Sequence, residues 1–137
     1  MTGMRGFVHL DETLRQALNA VALRQQVTAH NIANVNTPGF KRQTVQFEDQ
    51  LQKALARAHT SGAVTHPRHL PVGAAAAPPR PRVVTDRTTS MRNDGNNVDV
   101  EREMAILADA ETQYAALTQV VSARYRMLRS AMNQGGR

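Results

Sequence analysis

The feature that most constrains this chain is a hydrophobic line in its last third. Val100, Met104, Leu107, Glu111, Tyr114, Thr118, Val121, Tyr125, Leu128 and Met132 step by four and three without a slip, the register of a coiled coil. A helix from Val100 to Asn133 is predicted, about 50 Å long at ~1.5 Å per residue. Asp99 suits its N-cap, Glu101, Glu103, Asp109 and Glu111 lie in its first half, and Arg124, Arg126 and Arg129 crowd its end, as the helix dipole prefers. Gly135 and Gly136 stop it. Glu111 and Thr118 interrupt the apolar seam, and two readings stand side by side: they set register or partner choice, or they face solvent at its edge. Ile106, Gln113, Val120 and Met127 form a second seven-spaced line beside the first. One partner helix cannot cover both lines, so apolar surface is left over for association.

A second helix is predicted near the N-terminus, from about Leu10 to Val35, after a loose lead-in over residues 1 to 9. Leu14, Leu18, Val21, Gln25, Thr28, Ile32 and Val35 keep to one face, and Ala17, Ala22, Leu23 and Val27 widen it. Alanine on that face permits close approach by the C-terminal helix, so the two are expected to pair. The pattern ends in Asn34-Val35-Asn36-Thr37-Pro38-Gly39-Phe40. Proline pushes Thr37 out of the helical region, fixes its own φ and leaves Gly39 to take φ > 0, so a tight turn covers either Asn36 to Gly39 or Thr37 to Phe40. Asn34 and Asn36 suit a helix C-terminus, because a short amide bonds nearby backbone.

Between the long helices the pattern is weaker. Lys41 to Phe47 has an extended character, and a short amphipathic helix is expected from about Gln46 to Ala58, with Glu48 and Asp49 near its start. Residues 60–97 carry Pro67, Pro71, Pro78, Pro79 and Pro81 and hold no period, which predicts a flexible or conditionally ordered insert. Within it, Arg82 to Thr85 has the composition of one short strand and Asn93-Asp94-Gly95-Asn96 that of a turn. The expected fold is therefore mainly α. Its long N- and C-terminal helices pair as a coiled-coil-like unit, accompanied by a short second helix and a flexible, Pro-rich middle segment. Residues 1–59 and 98–137 together form one helical domain.

Composition excludes more than it selects. Aromatic residues make up 4% with no tryptophan, which suits alanine-rich helix packing better than a bulky core. The +6 charge raises nucleic acid as a partner, but Lys41-Arg42 is the only adjacent basic pair and a base-stacking platform is lacking. Without cysteine there is no thiolate nucleophile and no zinc-thiolate site. His66 and His69 flank Pro67-Arg68 with no carboxylate or thiolate to complete a metal set, and the other histidines are scattered. Carboxylates at helix starts and in turns are explained by capping, and no phosphate loop occurs, so no catalytic, cofactor or metal site is expected, nor any small-molecule substrate. Residues 1–10 lack the apolar core of a cleaved secretory signal.

The run Asn31-Ile32-Ala33-Asn34-Val35-Asn36-Thr37-Pro38-Gly39-Phe40-Lys41 closely resembles the N-terminal signature of the bacterial flagellar rod and hook protein family. A second block, Gly95 to Met104 followed by Gln113-Tyr114-Ala115-Ala116-Leu117, resembles the C-terminal half of its proximal rod members, as does Thr65 to Leu70 in the middle. Ala74 to Pro81 has no counterpart. The resemblance implies a structural subunit exported without a cleaved signal by the flagellar type III apparatus and polymerising in the periplasmic rod. It further implies Asn31, Ala33, Asn34, Asn36, Thr37, Pro38, Gly39 and Phe40 as an assembly signature. The implied neighbours are copies of itself, adjoining rod proteins and the proteins of the junction between rod and membrane ring. A basic coiled coil that binds nucleic acid and a cytoplasmic export chaperone or adaptor are the alternatives from other classes.

Overall fold

The computed structural model describes residues 2–53 and 79–134, with the side chains of 11–53 and 79–133. The order is α1 (Thr2–Ala33), β1 (Gln43–Gln46), a helical segment α2 over residues 48–53, β2 (Arg82–Thr85) and α3 (Val100–Gln134). The architecture is mainly helical, with the two long terminal helices in contact as the spacing predicts. They run antiparallel: Asn31 at the end of α1 meets Glu103 at the start of α3, Arg24 meets Gln113 midway, and Asp11 pairs with Arg124 near the far end.

Helix α1 starts earlier than the periodicity predicts, at Thr2 rather than near Leu10. Gly3 and Gly6 each disfavour a helix interior by about 1 kcal/mol relative to alanine. Adding a turn to an existing helix needs no new nucleus, so a long helix tolerates that cost.

Small side chains set the approach of the long helices. Ala20 and Val21 from α1 and Ala110 from α3 are buried, Ala110 completely. Dispersion contacts between backbones are gained only where no bulky residue holds them apart. Among the α3 residues withdrawn from solvent, Glu103, Leu107, Ala110, Leu117, Val121, Arg124 and Leu128 keep to one line, stepping by three, four or seven. Leu107, Val121 and Leu128 belong to the seam read from the sequence. Met104 and Tyr125, also in that seam, are 60% and 67% exposed, and Glu111 and Thr118 face outward.

Strands β1 and β2 form an antiparallel pair with Gln43 opposite Thr85 and Gln46 opposite Arg82. The Asp86 N–H donates to the Arg42 carbonyl at 2.8 Å and extends the ladder by one residue. Val45 and Phe47 turn inward and anchor the pair against α1, with Val27 and Val98 buried nearby in the same small core. The Phe47 carbonyl accepts from Leu51 N–H at 2.9 Å, so the buried phenylalanine also starts α2. The expected strand and the extended character of Lys41 to Phe47 thus meet as one hairpin-like unit. The remainder of the predicted short helix, His59, His66, His69, the Thr65 to Leu70 block, Ala74 to Ala77 and the Gly135-Gly136 stop lie outside the described residues.

Candidate assembly site

The end of α1 is closed by the residues that follow it, and the turn beyond is held by residues far along the sequence. A helix terminus leaves its last carbonyls without intrahelical donors. The His30 carbonyl accepts from the Asn34 N–H and the Asn34 side-chain amide, and those of Asn31 and Ile32 accept from Asn34 and Val35 N–H. The carbonyls of Asn34, Val35 and Thr37 all converge on the side-chain Nδ2 of Asn96, at 3.1, 3.0 and 2.9 Å. Arg92 adds a donor to the Val35 carbonyl. Asn96 is fully buried, and its Oδ1 accepts the Val98 N–H at 2.8 Å. One amide therefore holds the turn that follows α1 and shapes the approach to α3.

The turn itself is Thr37-Pro38-Gly39-Phe40, closed by the Phe40 N–H on the Thr37 carbonyl, with Gly39 at φ +72°. Proline in the second position and positive φ in the third are what a type II turn requires. Gly95, at φ +82°, occupies the corresponding bend of the return stretch, and a Cβ on it would lie 3.8 Å from Gly39 Cα. The two turns touch back to back, and Gly39 N–H donates to the Asp94 carbonyl at 2.9 Å. Phe40 lies half-buried with its ring edge-on to His30, centroids 5.4 Å apart. Ala33, Asn36, Thr37, Pro38 and Gly39 are exposed, so this end of the molecule presents the turn to solvent.

Beneath the turn lies a buried polar network. Asn31 is wholly inaccessible; its Oδ1 accepts the Gln43 N–H at 3.0 Å while its Nδ2 donates to the Gln43 carbonyl at 2.8 Å. In the ladder defined by Arg42 and Asp86, the backbone groups of Gln43 point away from β2. The Asn31 amide takes the place of a third strand and seals that edge. Its Nδ2 also donates to Glu103 Oε2 at 2.9 Å, and Arg42 pairs with the other carboxylate oxygen. Glu103 is 1% exposed, so its charge is offset by a guanidinium and an amide rather than by water. Asn97, also buried, accepts the Arg42 N–H at 2.6 Å and donates to the Asp86 carbonyl and Thr89 hydroxyl. Asp99 caps α3 as expected, accepting the Glu101 N–H at 3.0 Å.

Two carboxylates at the periphery are perturbed. The Thr88 N–H, then the Thr88 and Thr89 hydroxyls, hold the Asp86 carboxyl at about 2, below an ordinary 3.8. Burial alone pushes Glu48 up, but the hydrogen bond and charge of Arg24 outweigh it and leave that carboxyl below its ordinary value.

Asn31 and the Thr37 to Phe40 turn stand out in the sequence, whereas Arg42, Asn96, Asn97 and the burial of Glu103 do not. Capping was a sufficient reason for an acid in the first turn of α3, but Glu103 reaches back to α1 instead. A signal existed in the pairing of two unusual blocks, one ending at Lys41 and one starting at Gly95, which the fold brings into direct contact. Among the described residues no three histidine or carboxylate side chains gather, and no helix is long and apolar enough to cross a membrane.

These features, two paired terminal helices locked at one end by a Pro-Gly turn, fit a class that comparison with known proteins defines. Residues 12–41 match the family model described as flagella basal body rod protein. Flagellar basal body rod protein FlgB of Yersinia enterocolitica is 33% identical over 134 residues, covering 92% of this chain and 97% of the relative. FlgB of Bacillus subtilis is 31% identical over 124 residues, covering 90% and 93%, and that of Salmonella typhimurium 33% over 137 residues, covering 93% and 96%. The chain belongs to the FlgB family of flagellar basal body rod proteins. It is a structural rather than an enzymatic family, located in the basal body rod and assembling with other rod proteins.

Proposed function

We propose that this chain is a proximal rod subunit that leaves the cytoplasm through the flagellar type III apparatus and polymerises in the periplasm through its terminal helices. Its neighbours in this reading are copies of itself, the adjoining rod proteins and the proteins of the junction with the membrane ring. The observation that carries the reading is the lock between the 31–42 stretch and the 94–103 stretch. It fixes where α3 sets off along α1 and leaves the other flank of α3 open, with Met104, Val120, Tyr125, Met127 and Met132 exposed. An apolar flank on so long a helix is an association surface by its extent and shape. Asn31, Ala33, Asn34, Asn36, Thr37, Pro38, Gly39 and Phe40 act as the assembly signature in this reading: some build the lock, and the exposed ones meet a neighbour.

The test is incorporation. Leu107→Asp or Val121→Asp, produced in cells lacking the native chain, is expected to be exported yet absent from isolated basal bodies. Normal amounts of either variant in basal bodies overturn the reading.

A further inference from the structure

A groove of about 260 Å³ opens between α1, β1 and α3. Val27, Val45, Ile106 and Ala110 floor it, and Arg24, Asp109 and Gln113 stand at its sides. The arginines that reach it are already matched, Arg24 with Glu48 and Arg42 with Glu103. Asp109 has no ion-pair partner among the described residues, so the groove presents an uncompensated carboxylate beside an apolar floor. The far end of α3 has the opposite character. Tyr125, Met127 and Met132 are 67%, 72% and 78% exposed, and the exposed Arg126 and Arg129 between them likewise have no acidic partner among the described residues.

The geometry points to a contact between copies in which the Tyr125 to Arg129 end of α3 docks in the Asp109 groove of the next copy. The inference rests on the reading that copies adjoin in the rod, and it adds which surfaces meet. Met127, unbranched and polarizable, suits a groove of this volume, while Arg126 and Arg129 approach Asp109. The two surfaces lie on the same helix, so one copy carries both halves of the contact. With the α3 helices of adjoining copies parallel, such a contact is heterologous: it does not close on itself as a two-fold dimer does, and it propagates along a helical array. Successive copies are displaced by roughly 25 Å along the helix axis, from the spacing of Ala110 and Met127 at ~1.5 Å per residue.

Because the chain has no cysteine, the contact can be read by disulfide trapping. Gln113→Cys and Met127→Cys, placed in one chain, lie about 21 Å apart along α3, beyond the ~7 Å Cα separation a disulfide spans, so no bond closes within a copy. Oxidation of isolated basal bodies is expected to give dimers and higher multimers from the double variant and none from either single variant. The same oxidation of the purified full-length chain at low salt supplies a readout where assembly in cells is impaired. Adding Asp109→Arg is expected to lower the cross-linked yield by roughly ten-fold, and further adding Arg126→Asp and Arg129→Asp to restore it. Cross-linked species missing in both settings, or dimers from Met127→Cys alone, overturn the docking mode. Absence of the native chain from basal bodies counts instead against its role in the rod, and the same preparations report that separately.

Discussion

The side-chain amide of Asn31 donates to the carboxylate of Glu103 at 2.9 Å, joining the last turn of α1 to the first turn of α3 across 72 positions of sequence. Both groups are buried, and both are held from a second side, Asn31 by the Gln43 backbone and Glu103 by Arg42. Each member of such a network is costly to remove alone, because its partners stay buried without it.

Asn31→Ala therefore leaves the Gln43 N–H and carbonyl and one Glu103 oxygen short of a partner, at ~1–3 kcal/mol for each unsatisfied group. The expected loss is at least ~3 kcal/mol, read as a lower urea midpoint with an unchanged slope. Asn31→Asp is expected to lose more at neutral pH, because it faces Glu103 with a like charge.

The Arg42–Glu103 pair predicts a strongly non-additive cycle. Removing either partner strands a buried charge, a loss of ~3–5 kcal/mol, whereas replacing both by leucine removes the charges together. The double variant is expected to be more stable than Arg42→Leu or Glu103→Leu alone. Equilibrium unfolding of the four proteins measures it, and additive losses contradict the network.

Gly39 separates backbone strain from crowding. A Cβ built there meets nothing within 4 Å, so only its φ of +72° opposes a side chain. For a β-branched residue that conformation is disfavoured by more than the ~1–2 kcal/mol typical of L-residues. Gly39→Val is expected to reduce the amount of chain in basal bodies while leaving export intact, and Gly39→Asn to behave close to the native chain. Equal amounts of the valine variant and the native chain in isolated basal bodies would reduce the turn to a helix stop.

Acid should loosen the return stretch before it touches the core. Asp86 has its carboxyl held at about 2 against an ordinary 3.8. A depressed folded value means that its stabilisation is present above the ordinary value and is lost as pH falls from about 4 toward 2. Asp86→Asn is expected to flatten the fall in stability over that window and to leave the dependence above pH 5 unchanged. Thermal unfolding at stepped pH checks this.

Much of this fold is legible because its signals are local. Period fixes α3 and most of α1, Asp99 announces a cap, and Pro38-Gly39 announces a turn whose hydrogen bond selects Thr37 to Phe40 from two possible positions. Arg82 to Thr85 reads as a strand from valine and threonine alone. The lock is less legible because its bonds cross 55 to 72 positions of sequence, as from Arg42 to Asn97 and Asn31 to Glu103. Nothing local distinguishes Asn96, whose amide serves three carbonyls, from an ordinary turn asparagine. Periodicity also favours bulky residues in a seam. Here α3 buries Ala110 and a Glu103 paired with Arg42, leaving Met104 and Tyr125 outside.

Asn96 offers the most direct measurement of the lock, since its one side-chain amide holds three carbonyls of the turn after α1 against the approach to α3. With Asn96→Ala expressed in place of the native chain, the amount in the exported fraction and in isolated basal bodies is quantified together. Export at native levels with the chain depleted from basal bodies is the predicted result; full incorporation would contradict a lock on which rod assembly depends.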